Sequence, residues 1–72
     1  MESVFLAKII EYKESLRIIG VFSTAEAAMY RLREHSAGSL YFREHTIRVS
    51  GRKFWVAELD EFEYQIDEMW VE

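Results

Sequence analysis

Residues 16–35 read LRIIGVFSTAEAAMYRLREH, and this stretch decides the fold. Its first seven residues, LRIIGVF, have the β-branched and aromatic composition of a strand. Ser23-Thr24-Ala25-Glu26 follows as a capping-box pattern, in which the Ser23 hydroxyl bonds the Glu26 amide and the Glu26 carboxylate reaches back to the Ser23 amide. The next residues, AEAAMYRLREH, are good helix formers that place Ala25, Ala28, Met29 and Leu32 on one stripe. Gly38, just beyond His35, is a natural stop. Small alanines on the stripe allow such a helix to sit close against a sheet.

Upstream, residues 4–12 (VFLAKIIEY) predict another strand, and the polar break Lys13-Glu14-Ser15 makes the two strands an antiparallel hairpin. Phe5, Ala7 and Ile9 fall on one face of the first strand; Val4, Leu6, Ile10 and Tyr12 fall on the other, interrupted by Lys8. Two largely apolar faces indicate a central strand, or one covered on both sides. Gly20 in the second strand marks a bulge or a close backbone approach. Downstream, residues 39–45 give no clear signal. Residues 46–49 and 52–59 read as strands joined by a two-residue Ser50-Gly51 loop. Beyond Asp60 two periods compete: Phe62, Tyr64 and Ile66 alternate with polar residues as in a strand, while Phe62, Ile66, Met69 and Trp70 match an amphipathic helix. The expectation is a single α+β domain over residues 1–72. It has an antiparallel sheet of about four strands (β-β-α-β-β), one helix packed on one face, and an acidic C-terminal segment that is strand or short helix.

Composition narrows the function. Seventy-two residues without cysteine exclude a disulfide framework and thiolate metal sites, and leave a thin core. The start, MESVFLAKII, lacks the basic opening and uninterrupted apolar run of a secretory signal, and no segment reaches membrane-span length, so a cytoplasmic protein is expected. Charge is unevenly spread. Residues 58–72 carry seven carboxylates and no base, whereas residues 27–57 hold Arg31, Arg33, Arg43, Arg48, Arg52 and Lys53 against Glu34 and Glu44. Such asymmetry speaks to partners and solubility rather than to a reaction.

No constellation for chemistry stands out. The two histidines, His35 and His45, match no zinc spacing. The serines lie at turns, caps or termini, outside any nucleophile-elbow pattern, and the three glycines form no phosphate loop. The expectation is a non-enzymatic protein without cofactor or metal. Arg43, Arg48, Arg52 and Lys53 interleave with Tyr41, Phe42, Phe54 and Trp55, a composition that stacks bases and contacts phosphates, but a pI of 5.1 opposes direct nucleic-acid binding. The acidic, ring-bearing end is the favoured site: Glu61, Glu63, Tyr64, Asp67, Glu68 and Trp70 are the expected contacts to a protein with a basic surface. A homodimer is left open by this reading. The alternatives are an oligomeric sponge for an anionic nucleotide signal, lined by Arg43, Arg48, Arg52 and Trp55, and a structural or regulatory subunit.

VFLAKI at the start, the junction Gly20, Val21, Phe22, Ser23, Thr24, Glu26 and Ala27, and the close Glu58, Leu59 and Asp60 resemble a small bacterial and phage domain family of unknown function. Ala57 stands where the family pattern has an aromatic residue. The resemblance implies a β-β-α-β core and a phage or mobile-element source. It makes an inhibitor of a host defence component, such as an anti-CRISPR, the most concrete form of the binding expectation. It assigns no site residues. The segment 46–51 and the acidic end lie outside it.

Overall fold

The computed structural model describes residues 2–11, 14–36 and 39–71. They form five strands and one helix: β1 (Glu2–Glu11), β2 (Ser15–Phe22), α1 (Ala25–His35), β3 (Arg43–Thr46), β4 (Lys53–Leu59) and β5 (Phe62–Val71). All strand pairings are antiparallel, in the order β2-β1-β5-β4-β3. The sheet thus has five strands where about four were expected, and the acidic end is the fifth. Strict alternation at residues 62–67 decides that segment against the helix, because β1 and β4 supply partners on both sides. The acidic segment is therefore a central strand.

Alternation then sorts the side chains between two faces. On the first, Ala7 pairs with Ile66 and Ile9 with Tyr64, while Trp55 and Ala57 extend the layer on β4. Helix α1 packs on β1, β2 and β5 across this face and buries Ala25, Ala28 and Leu32, with Met29 half-buried beside them. The stripe expected from helical spacing is the stripe observed. Residues 39–42, which gave no sequence signal, cover the β4 side of the same face. Leu40 is buried there, and the Arg33 guanidinium lies 5.4 Å from the Phe42 ring centroid while donating to the Leu40 carbonyl at 3.5 Å. Leu32 and Ile66 are the largest fully buried side chains among the described residues, so the core is one layer thick.

Local corrections have physical causes. The helix cap is Thr24, not Ser23: Thr24 takes an extended backbone (φ −135°, ψ 154°) and its Oγ1 accepts from the Ala27 amide at 3.1 Å. The pair Ser23/Glu26 is then one position early for a capping box. Thr24→Ala is expected to cost about 1 kcal/mol in urea unfolding, and Ser23→Ala only a few tenths; equal losses would contradict this cap. The last turn closes on Ser36, whose amide and hydroxyl both donate to the Arg33 carbonyl. The expected stop at Gly38 lies outside the described residues, as does Tyr12.

The β3–β4 hairpin is wider than a two-residue loop. Strand β3 lies three residues earlier than expected, and residues 48–50 form the turn. The Ile47 amide donates to the Arg52 carbonyl at 2.7 Å, and the Gly51 amide, at φ 78°, donates back to the Ile47 carbonyl at 2.8 Å. The two-residue turn falls instead at Asp60-Glu61, where Leu59 pairs with Phe62 and Asp60 adopts φ 57°, a region aspartate tolerates. In β2 the register shifts opposite Ala7/Lys8, leaving Ile19 as the extra residue beside Gly20. A Cβ on Gly20 would come within 3.2 Å of the Phe22 ring, which explains glycine at this close approach.

Candidate functional site: the uncovered face of the sheet

Among the described residues, no helix lies on the second face of the sheet. Antiparallel sheets with one solvated face ordinarily present polar side chains there, yet this face is mainly apolar. From β1 it takes Val4, Leu6 and Ile10; from β4, Phe54 and Val56; from β5, Met69 and Val71. The bulge in β2 adds three more. Ile18 pairs with Lys8 and Val21 with Leu6, so residues three apart share a face, and Leu16 joins them opposite Ile10. Leu16, Ile18 and Val21 are 59%, 52% and 59% exposed. An open groove of about 440 Å³ is lined by Leu6, Ile47, Phe54 and Met69 on one hand and by polar side chains, Arg52 and Asp67 among them, on the other. An exposed sheet face with this much apolar surface marks an interaction site.

Near the middle of the face sits one ion pair. Lys8 Nζ lies 2.7 Å from Asp67 Oδ2, and Gln65 donates to Asp67 Oδ1 at 2.8 Å. Other charges occupy the margin: Glu2 at one end, and Arg43, Glu58 and Glu63 toward the other. Arg43 and Glu58 approach to 3.8 Å. Glu58 and Glu63 are directly opposed across β4 and β5, an unfavourable arrangement of like charges.

The residues expected to form one acidic surface are divided. Glu63 and Asp67 lie on the uncovered face, and Glu61 projects from the β4–β5 turn. Glu68 and Trp70 lie on the helix-bearing face, where the Glu68 carboxylate accepts from the Lys53 amide at 3.0 Å and the Arg52 guanidinium stands 5.7 Å from the Trp70 ring centroid. Tyr64 is buried in the core and is withdrawn as a surface contact. The terminal segment is thus scaffold and surface at once. Its charge is met internally by Lys8, by Arg43 at Glu58, and by the Lys53 backbone.

The alternative basic set does not converge either. Trp55 is buried on the core face, in tilted contact with Phe5 at 5.7 Å, so it is withdrawn as a ligand platform. Arg43 points to the opposite face from Trp55, Arg48 stands in the β3–β4 turn, and Arg52 is held by Ser50 and Trp70. The histidines are far apart in role: His35 ends α1, whereas His45 stacks on Phe54 at 4.9 Å between centroids. Among the described residues no group of three or more His, Asp or Glu is placed to hold a metal ion, and no helix is long and apolar enough to cross a membrane.

The surroundings of Tyr64 shift its titration. Burial, reinforced by the Asp60 carboxylate and opposed by Arg17, raises its phenol above the ordinary 10.0. A raised folded value means that its contribution is complete below the ordinary value and is lost as pH climbs through the folded value. Unfolding free energy should therefore fall as pH rises above the ordinary value of 10.0, and Tyr64→Phe should flatten that fall. Superimposable alkaline profiles for the two proteins would contradict this placement of Tyr64.

No protein-family profile, curated protein or solved structure matches this chain. The apolar residues that define the uncovered face escaped the sequence reading as a site. Their signal was present in β1, where both faces read as apolar; β2 hid its share because the bulge breaks the alternation.

Proposed function

We propose that the chain is a non-enzymatic protein-binding module whose contact surface is the uncovered face of the sheet. One observation carries this reading: a single-layer core leaves a mainly apolar sheet face, with the Lys8–Asp67 pair at its middle, that no other described residues cover. Apolar area with a few paired polar groups is the anatomy of protein interfaces. Glu63 and Asp67 lie within that surface and Glu61 at its edge, so these three members of the acidic set remain contacts, while Glu68 and Trp70 adjoin from the other face. The groups that chemistry needs are dispersed, which supports binding over turnover. An inhibitor of a host defence component is the version of this reading that the phage-like sequence resemblance favours.

The test is positional. A photo-crosslinking phenylalanine analogue is placed at Ile18 on the face, or at Tyr30 on the outer side of α1, which is 66% exposed. In cells of the native host, Ile18 should yield discrete protein adducts and Tyr30 should not. Equal labelling from both positions, or none from Ile18, would remove the basis for this function.

A further inference from the structure

We infer that the occupant of the uncovered face is a second copy of this chain, packed sheet to sheet about a two-fold axis that runs between β1 and β5. This rests on the face being a protein-binding surface, and it names the partner.

Size is the first argument. The Cα extents are 35 × 22 × 21 Å, the long dimension matching ten-residue strands. Strand rise and spacing give the face a projected area on the order of 700 Å². Specific interfaces bury about 600–1,000 Å² on each partner, so the four strands that overlap, β2, β1, β5 and β4, supply an interface at the low end of that range, with β3 outside it.

Self-complementarity is the second argument. In a two-fold interface each patch meets its own counterpart with positions exchanged. An axis between β1 and β5 lays β1 on the partner's β5 and β2 on the partner's β4. Ile18 then meets Val56, Val21 meets Phe54, and Val4 meets Met69, apolar on apolar, while Leu6 lies over Asp67, and Ile10 and Leu16 lie over Glu63 and Glu58. Lys8 comes over Gln65 and within side-chain reach of the partner's Asp67, and the reciprocal contact forms at the same time. The central ion pair becomes a neutral ring of four charges, which keeps each desolvated charge paired. Glu58 and Glu63 fall in the last row of the sandwich, at its open end, where their carboxylates reach solvent beyond Leu16 and Ile10 of the partner. A uniformly basic partner would leave Lys8 opposed by like charge.

Sedimentation equilibrium of the intact chain tests this. The expected mass is twice 8.6 kDa. Ile18→Lys, at a half-exposed position, should weaken association at least about 100-fold while far-UV circular dichroism stays unchanged; Tyr30→Lys on the helix should leave the dimer intact. Lys8→Asp alone and Asp67→Lys alone should each sediment as monomers, and their equimolar mixture should recover the dimer, because only pairing between chains restores opposite charges. A monomeric wild-type chain at all concentrations would overturn the inference, as would a dimer indifferent to Ile18→Lys or a mixture that stays monomeric. In any of those cases, discrete adducts from Ile18 to a different protein would leave the binding function standing. Absence of adducts as well would remove both.

Discussion

A chain that stops after Asp60 does not fold. It retains β1, β2, α1, β3 and β4, which together look like a complete β-β-α-β-β domain, yet it lacks β5. That strand joins the two hairpin-like halves within the sheet: β1 pairs with β5 on one side and β4 pairs with β5 on the other. Its loss also removes Tyr64 and Ile66 from a core in which Ile66 is one of two large side chains with no exposure. Domains of this size hold only about 5 kcal/mol of stability or less, and the loss of two strand interfaces exceeds that. The truncated chain should show a coil-like far-UV spectrum and no cooperative urea transition. A cooperative transition would mean that the acidic segment is an appendage after all.

Leu32→Ala should lower the unfolding free energy by roughly 2–5 kcal/mol, the range for emptying a fully buried leucine site. Leu32 is completely buried in the face that α1 turns to the sheet, in one core cluster with Ala28, Ala7 and Ile66. Small residues around it already bring helix and sheet close, so the backbone has little room to collapse into the space left by the side chain. At the upper end of that range the domain would be largely unfolded at room temperature. Chemical denaturation at neutral pH gives the number, and a loss below about 1 kcal/mol would contradict the packing of α1, since surface-like positions cost that little. Leu32→Met, which conserves volume, should recover most of the loss.

Much of this architecture is legible in the sequence, and the exceptions are instructive. The hairpin β1–β2, the helix and its buried stripe follow from local signals that agree with one another: alternation, a polar break, helix formers at the right spacing. Residues 62–71 are ambiguous locally because Phe62 and Ile66 satisfy both periods, and only the presence of β1 as a partner makes the strand reading prevail. Residues 39–42 are unreadable because their role is to cover Trp55 and Ala57, which depends on where the helix ends in space. The hairpin at 47–52 misleads because Ser50-Gly51 has the composition of a tight turn, while the positive φ of Gly51 closes a longer one.

For the site, charge was the conspicuous signal and the poorer guide. The carboxylates of residues 58–72 alternate along a central strand, so neighbours in sequence point to opposite faces, and several have partners inside the chain. The apolar face was written in β1 as a second run of hydrophobic residues, Val4, Leu6 and Ile10, but sequence gives no means of telling a face covered by the same chain from one awaiting another. The bulge at Ile19 then concealed that Ile18 and Val21 belong with them.

The measurement closest to the central claim is the reactivity of Met69, a side chain on the uncovered face and 43% exposed in the isolated chain. A brief peroxide pulse to intact cells making the protein at its native level, followed by mass spectrometry, reports whether that thioether is covered. The face is in use if Met69 oxidises several-fold more slowly than in dilute, purified Ile18→Lys protein. Oxidation of Met69 in cells at the rate of that variant would mean that the face stands open, and would contradict the account.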